Sequence, residues 1–373
     1  MVTVLIAPDK FKGSLSASEV AVTLAQELSA AGLDVGTLPL ADGGDGSVAA
    51  ALAAGYTAHG VCVQAATGRA RTATIAVRGD IAVVEIADTC GLATLPEGRT
   101  AALDASSFGF GQAIRHAMDT GARRIVLALG GSASSDAGIG MLAALGFRYF
   151  DHLGAELPPT ARSLGAVHRV VFEGRVDADL IVAGDVTNPL RGADGAAAVY
   201  GPQKGATAAD IGFLENGYDN LIAALTRSGW ADAGAVAELS GAGAAGGCGF
   251  AAALLGARIV SGADFFLDLL DFDRHCRHAD LVITGEGRLD AQTLSGKLPA
   301  VVARRAFPRP VLAVVGRDDL HDRDMSPFTD VFAVSRYTRG DTAADPAETR
   351  RVLALIAAEI VRAAVPEEIS AIR

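Results

Sequence analysis

Apolar and polar positions fall into blocks along this chain, and the blocks predict βα units at both ends with a different texture between them. Val2 to Ile6 reads as a buried strand, followed by the loop Pro8-Asp9-Lys10-Phe11-Lys12-Gly13-Ser14. Ser16 opens a helix, with Glu19 three residues on as a capping box, Val20, Leu24 and Leu28 on one face, and Gly32 at its end. A second apolar stretch runs to Leu40, enters the turn Asp42-Gly43-Gly44-Asp45-Gly46, and passes into an Ala-rich helix that stops at Gly55.

From Tyr56 to Ala87 the period shortens. Val61–Val63, Thr72–Val77 and Ile81–Ile86, separated by Thr67-Gly68-Arg69 and Arg78-Gly79-Asp80, predict antiparallel strands joined by hairpins. Arg124–Leu129 and Asp179–Ala183 read as strands of parallel type, with helices at about 208–227 and 251–255. The last third returns to βα texture, with strands at Leu281–Ile283, Val311–Val315 and Val331–Val334. A terminal helix follows, capped by Asp345, with Pro346 at its first position, Glu348 completing a capping box, and Val352, Leu355, Ile356 and Ile360 as its apolar face. The expected architecture is α/β with two domains. A Rossmann-like parallel βα domain is built from both chain ends, residues 1–60 plus 281–373, and a mixed α/β (flavodoxin-like) domain, residues 61–280, is inserted in it.

Composition narrows the partners. The 373 residues carry a net charge of −11, which argues against a nucleic-acid backbone as main partner. An anionic ligand then needs local Lys, Arg, helix N-termini or Mg²⁺. Cys62, Cys90, Cys248 and Cys276 are far apart and form no CxxC pair, so reduced thiols are expected rather than a disulfide framework or a zinc site. No apolar run approaches a membrane span and the opening residues lack a secretory pattern, so the expectation is a cytoplasmic protein with no membrane partner. The sequence carries no signal for an oligomeric state.

Candidate chemistry sits in the turns after predicted strands, where ligands of βα sheets bind. In the first, Lys10 or Lys12 can neutralise a phosphate or carboxylate and Ser14 can add a hydrogen bond; otherwise the segment is a solvated loop with a helix cap. Asp42 and Asp45 flank two glycines, which suits an anion nest or Mg²⁺, and equally a plain Asp-Gly turn. Gly130-Gly131-Ser132-Ala133-Ser134-Ser135-Asp136 is small and rich in hydroxyls, as the approach of a phosphate chain requires, with Asp136 either a ligand or a helix cap. Asp185 precedes Thr187-Asn188-Pro189, an arrangement fit for a general base, a Mg²⁺ neighbour or an Asx turn. Lys204 occupies a tight turn as a phosphate ligand or an exposed charge. Glu286, Arg288, Asp290 and Gln292 share one segment, where the Arg fork can clamp a carboxylate or phosphate or pair with Asp290. Gly241 to Gly246 fits GxGxxG, but Ala233 to Ser240 makes a poor strand, so a ligand-facing loop at Gly243 is preferred to a dinucleotide site.

Taken together and in this order, the motifs resemble the bacterial glycerate kinase family, type I (glycerate 2-kinase-like). Ala7-Pro8-Asp9-Lys10-Phe11-Lys12-Gly13-Ser14 looks like the family's APDSFKGS, Pro39 to Gly46 like its PLADGGEG, and Gly130 to Ala133 like the start of its GGSATND. The stretches 185–190, 201–206, 241–247 and 284–290 resemble further family segments, and the likeness runs from residue 4 to about residue 305, then more weakly to the end. Lys10 departs from the usual serine, and Ser135 and Ala137 depart from Asn and Gly.

The resemblance implies ATP-dependent phosphorylation of glycerate with Mg²⁺, the 2-hydroxyl favoured, on a two-domain fold outside the P-loop class. The expected mechanism is in-line transfer in an interdomain cleft. Lys12, Asp185, Arg288 and Asp290 are the catalytic candidates. Arg288 and Lys12 would hold the glycerate carboxylate and the developing phosphate charge, and Asp185 or Asp290 would accept the hydroxyl proton or hold Mg²⁺. Asp9, Ser14, Asp42, Asn188 and Glu286 are expected to bind substrate; Gly130, Gly131, Ser132, Ser134, Lys204 and Gly243 to bind ATP; Asp42 and Asp185 to hold Mg²⁺. Two other classes are weighed: an NAD(P)-dependent hydroxy-acid dehydrogenase using the Gly241 loop, and a non-catalytic hydroxy-acid sensor. Unpaired strand-end carboxylates would repel an anionic ligand without Mg²⁺ or bases, which counts against the sensor.

Overall fold

A computed structural model describes residues 2–96, 99–294, 296–320, 326–340 and 344–364. Strands β1 (Thr3–Ile6) and β2 (Asp34–Thr37) lie near the N-terminus. β3 (Thr57–Gln64), β4 (Ala70–Arg78), β5 (Ile81–Glu85), β6 (Arg124–Ala128), β7 (Phe147–Phe150), β8 (Arg169–Phe172), β9 (Asp179–Ala183) and β10 (Arg258–Val260) follow in the middle. β11 (Leu281–Leu289), β12 (Val311–Asp318) and β13 (Asp330–Ala333) come last. The fold is α/β, and the chain divides into two units: residues 1–42 with 263–373, and residues 43–262.

The terminal unit holds a five-stranded sheet in the order β13-β12-β11-β1-β2, every pairing parallel. Its direction of winding reverses between β1 and β11, and such a switch point leaves a crevice at the carboxyl ends of the two strands. The helix Ala17–Ala30 starts on the expected capping box, with Ser16 Oγ accepting from Glu19 N (3.3 Å) and the Glu19 carboxylate accepting from Ser16 N (2.9 Å). Val20, Leu24 and Leu28 enter the core with Val352, Leu353, Ile356 and Ile360 of the helix Pro346–Ala364. Leu355, expected on that apolar face, is exposed, and Leu353 takes its place. Asp345 caps this helix through the N–H groups of Ala347 (3.1 Å) and Glu348 (3.0 Å), while the Glu348 carboxylate pairs with Arg351.

The middle unit holds a six-stranded sheet in the order β10-β9-β6-β5-β4-β3. β3, β4 and β5 pair antiparallel, as their alternation predicts, and β5, β6, β9 and β10 pair parallel. The short antiparallel pair β7–β8 and the strand β10 have no counterpart in the sequence reading. The unit borders fall at 42/43 and 262/263 rather than near 60 and 280, for packing reasons. The helix Ser47–Ala53 lies on β4 and β5, so the 43–60 segment groups with the middle. The helices Gly262–Leu269 and Phe272–Cys276 are tied to the terminal unit by the ion pairs Arg304–Asp264 (2.8 Å) and Arg305–Asp273 (2.7 Å). Among the described residues no helix is long and apolar enough to cross a membrane.

Candidate functional site

In the terminal unit, the loop after β1 lies beside the second half of β11 at the switch point; β11 runs on to Leu289, so Glu286 and Arg288 sit on a strand where a turn was expected from residue 284. Ala7 N donates to Ile283 O (2.7 Å) and Asp9 N to Gly285 O (2.8 Å), so the first loop continues the parallel ladder past the strand end. Gly287 lies against the backbone of Phe11 and Lys12, which brings Asp9, Lys12, Glu286, Arg288 and Asp290 to one region. Lys12 and Arg288 are exposed; Asp9 and Asp290 are half-buried; Glu286 is buried. Burial pushes the Asp9 carboxyl up to about 7, with Lys10 opposing the shift and Asp42 adding to it. Burial likewise pushes Glu286 up to about 7, against the Thr293 hydroxyl and Lys297, with the charges of Asp9 and Asp290 adding. Three carboxylates therefore share one poorly hydrated neighbourhood, and Asp42 couples to it through Asp9.

Two members of the set also serve the scaffold. Ser14 Oγ donates to Thr349 Oγ1 (2.9 Å), tying its loop to the C-terminal helix. Asp290 Oδ1 accepts from the N–H groups of Gln292 (2.9 Å) and Thr293 (3.3 Å), while Lys297 lies 3.5 Å from it. Arg288 pairs more closely with Asp319 (2.7 Å) than with Asp290 (3.8 Å). Asp319 and its second partner Arg317 were not singled out from the sequence. Their only signal was that they follow an apolar strand, Val311–Val315.

In the middle unit, the turns after β5, β6 and β9 converge. Gly130 N donates to Gly43 O (3.3 Å), and a Cβ at Gly130 would collide with Gly44, so only glycine lets the 43–46 turn lie against the 130–134 loop. Glu85, at the end of β5, accepts from Gly46 N and Val48 N (3.0 Å each) and orders that turn. Burial pushes Glu85 up to about 7. It was legible only as the last polar residue of a strand.

Lys204 is buried, not an exposed charge, and donates to Ser132 Oγ (3.0 Å) and Ser134 O (2.6 Å). Sequence positions some seventy apart thus meet at the 130–134 loop. Burial pulls the Lys204 ammonium down to about 8, with Cys248 and Asp136 opposing. Ser134 Oγ is buried and has no hydrogen-bond partner among the described residues. Gly131 is exposed while Ser132 and Ser134 are buried, so the loop offers its glycines outward and its hydroxyls inward.

Asp136 is fully buried and caps the next helix. It accepts from Ser107 N (2.8 Å), Ser107 Oγ (2.9 Å), Gly138 N (3.1 Å) and Gly140 N (3.3 Å). The fork between ligand and cap at this residue resolves as a cap. Ala137, where the family segment has glycine, takes a left-handed φ of 53°.

Three further candidates turn inward to their own segments. Asp185 is exposed and accepts from Gly262 N (2.9 Å) and Ser261 Oγ (3.3 Å), linking the turns after β9 and β10. Asn188 donates to Asp194 O (2.7 Å) and accepts from the Tyr200 hydroxyl (2.7 Å). Gly243, expected at ATP, gives its N–H to Asn188 O (2.9 Å), and a Cβ there would run into the Pro189 carbonyl, so its smallness serves packing. The segment before Gly241 contains the helix Ala233–Ala237 in place of the strand that a dinucleotide fingerprint requires. Among the described residues no group of three or more His, Cys, Asp or Glu side chains can hold a metal ion.

The comparisons with known proteins agree with the fold. A family model described as the glycerate kinase family matches residues 4–365. Glycerate kinase of Bacillus subtilis (strain 168) is 38% identical over 327 residues, 84% of each chain. Glycerate 2-kinase of Escherichia coli (strain K12) is 38% identical over 326 residues, again 84% of each. A crystal structure from Salmonella typhimurium LT2, provisionally designated glycerate kinase 2, superposes with a TM-score of 0.81 at 34% identity and covers 98% of each chain. This α/β chain belongs to the glycerate kinase family, a family of phosphotransferases.

Proposed function

We propose that the protein transfers the γ-phosphoryl group of ATP to a hydroxyl of glycerate, with 2-phosphoglycerate as the favoured product. One observation carries the reading: the loop bearing Asp9 and Lys12 runs alongside the strand bearing Glu286 and Arg288 at the switch point of a sheet whose chain matches the glycerate kinase family over 4–365. A small acid with a free hydroxyl needs what that set offers, positive charge for its carboxylate and a carboxylate able to take a proton. Glu286 and Asp9, with carboxyls near 7, are suited to that exchange at neutral pH, and Asp290 adds a third acceptor. In this reading Arg288 and Lys12 neutralise the glycerate carboxylate and the charge that develops on the phosphoryl oxygens.

The 130–134 loop is the assigned seat of the ATP phosphates, with Gly131 offering backbone at the surface and Lys204 bracing the loop from beneath through Ser132 and Ser134. Lys204 is a positioning residue in this assignment. Mg²⁺ bound to ATP typically takes one or two protein carboxylates and keeps phosphates and water as its other ligands. Asp42 and Asp185 fit that modest demand, each as a single carboxylate, and the ion would shield charge on the phosphates. Purified protein with ATP, Mg²⁺ and D-glycerate is expected to consume ATP, and ³¹P NMR of the product to show the 2-phosphate. Turnover of another hydroxy acid but not glycerate would overturn the substrate and leave phosphoryl transfer standing. A nicotinamide absorbance change with glycerate would overturn both.

A further inference from the structure

The carboxyl ends of β11 and β12 carry a charge arrangement beyond the residues assigned so far. Arg288 and Arg317 are direct partners in the parallel register of these strands, so their side chains leave the sheet on the same face. Both converge on one carboxylate: Arg288 Nε lies 2.7 Å from Asp319 Oδ2, and Arg317 Nε 2.6 Å from Asp319 Oδ1. Asp319 is itself pinned, its N–H donating to Leu289 O (2.8 Å). The hydrogen bond from Arg317, with Arg288 adding, holds the Asp319 carboxyl below its usual range, so it stays ionised.

Each guanidinium makes its closest approach to Asp319 through Nε, as a hydrogen bond from Arg317 and as an ion pair from Arg288, and a contact through Nε does not engage the terminal nitrogens. Both arginines are well exposed, at 63% and 69%. With Asp290, 3.8 Å from Arg288 and paired also with Lys297, three cations meet the two carboxylates Asp290 and Asp319 and leave a surplus of one. At the rim, Lys297 lies 3.5 Å from Asp290, and the neighbouring Asp318 is matched by Arg336 (2.7 Å). Planar donor forks held by a shared anchor suit a planar, bidentate anion.

We propose that Arg317 joins Arg288 in a paired-guanidinium subsite, locked by Asp319, that binds the carboxylate of the acceptor acid. This rests on the reading of the protein as a glycerate-phosphorylating enzyme. It makes Arg317 a substrate-binding residue and Asp319 a positioning residue.

Steady-state kinetics of the full chain test it, beside calorimetric binding of D-glycerate without nucleotide. Arg317→Gln is expected to raise the glycerate KM tenfold or more and to weaken D-glycerate binding in parallel, with the ATP KM within about twofold. Arg317→Lys keeps the charge but loses the fork, and should fall between the two. Asp319→Asn should raise the glycerate KM less than Arg317→Gln. Unchanged glycerate KM and binding in Arg317→Gln, at an unaltered melting temperature, overturns the subsite. A rise in the ATP KM alone overturns the assignment to the acceptor and gives the pair to the nucleotide phosphates. Wild-type protein that binds D-glycerate without phosphorylating it defeats the proposed function, while the binding comparison still decides the role of Arg317.

Discussion

The two units treat charge in opposite ways. At the carboxyl ends of β1, β11 and β12 in the terminal unit, Lys12, Arg288 and Arg317 stand in solvent, and the ion pairs of the two arginines are surface contacts with the half-buried Asp319. In the middle unit, Lys204, Asp136 and Glu85 are buried, and the side-chain hydrogen bonds described for them go to backbone groups of loops and helix starts or to serine hydroxyls. Exposed charge can be re-paired with an incoming ligand at little cost, whereas buried charge is tolerated only when its bonds are made within the fold. The terminal unit thus keeps its charges for something that arrives, and the middle unit uses charge to hold peptide groups in shape.

The sharpest break of that contrast is Asp136→Ala. It would orphan three N–H groups and the Ser107 hydroxyl in a dry site, and should cost about 3 kcal/mol or more. Urea unfolding of the variant against wild type measures this, with Asp136→Asn expected to lose less. A cost below about 1 kcal/mol would mean that the 136–140 turn does not depend on its buried anion.

Lys204→Met comes next. Misplacing the 130–134 loop should lower kcat/KM for ATP by about a hundredfold. The pH dependence supplies an independent readout. The folded-state ammonium titrates near 8 against an ordinary 10.5, so the unfolded chain holds its proton more tightly, and the Lys204 contribution to stability should rise as pH goes from about 8 to 10.5, against an opposing fall from the buried Cys90 and Cys248 thiols, whose pKa values are raised. Cys248 and Asp136, which face Lys204, and Cys90 remain in the variant, so the difference in stability between wild type and Lys204→Met should grow in favour of wild type from about pH 8 to 10.5. A difference between the two proteins that does not change with pH would refute the buried lysine.

How much of this was legible beforehand divides along the same line. Glycine and acid after an apolar run mark Asp9, Lys12, Glu286 and Arg288 from order alone, although the last two lie on β11 itself, which continues through its glycines to Leu289. Lys204 on Ser132 and Ser134 was named as part of the ATP set, yet its burial was not foreseeable, because a lysine in a Gly-Pro-Gln-Lys-Gly turn looks solvated until the tertiary fold closes over it. Glu85 was invisible for a related reason: a glutamate ending a strand carries no mark of the two N–H groups it will meet 37 and 39 residues upstream. Arg317 and Asp319 were missed because the strand signal fades at Gly316, two residues before β12 ends. The four-residue strands β7 and β8 are too short to establish a period.

A smaller effect probes the acids of the terminal unit. The Glu286 carboxyl titrates near 7 in the fold against an ordinary 4.5, so the folded state holds that proton more tightly. Stability should therefore fall as pH rises from about 4.5 to 7, by no more than about 1.4 kcal/mol per pH unit for one proton. Asp9, Asp290 and Lys297 face the same carboxyl, so Glu286→Gln should flatten the slope without abolishing it. Thermal melts at matched ionic strength between pH 4.5 and 7.5 give the comparison. An unchanged slope would place the titration elsewhere.

The smallest change tests whether the contrast holds residue by residue. Ser14 belongs to the terminal unit's candidate loop, yet its hydroxyl behaves like those of the middle unit, donating to Thr349 Oγ1, which in turn donates to Asp345 O (3.0 Å). Removing one neutral hydrogen bond of this kind costs about 1 kcal/mol, and Thr349 keeps its bond to Asp345 in Ser14→Ala. The variant should therefore melt slightly below wild type, with the loss shared by Thr349→Val and not additive with it, since both changes break the same contact. If Ser14→Ala instead leaves the melting temperature untouched and raises the glycerate KM, the hydroxyl is turned toward a ligand, and exposure rather than membership of a unit decides which polar groups wait for substrate.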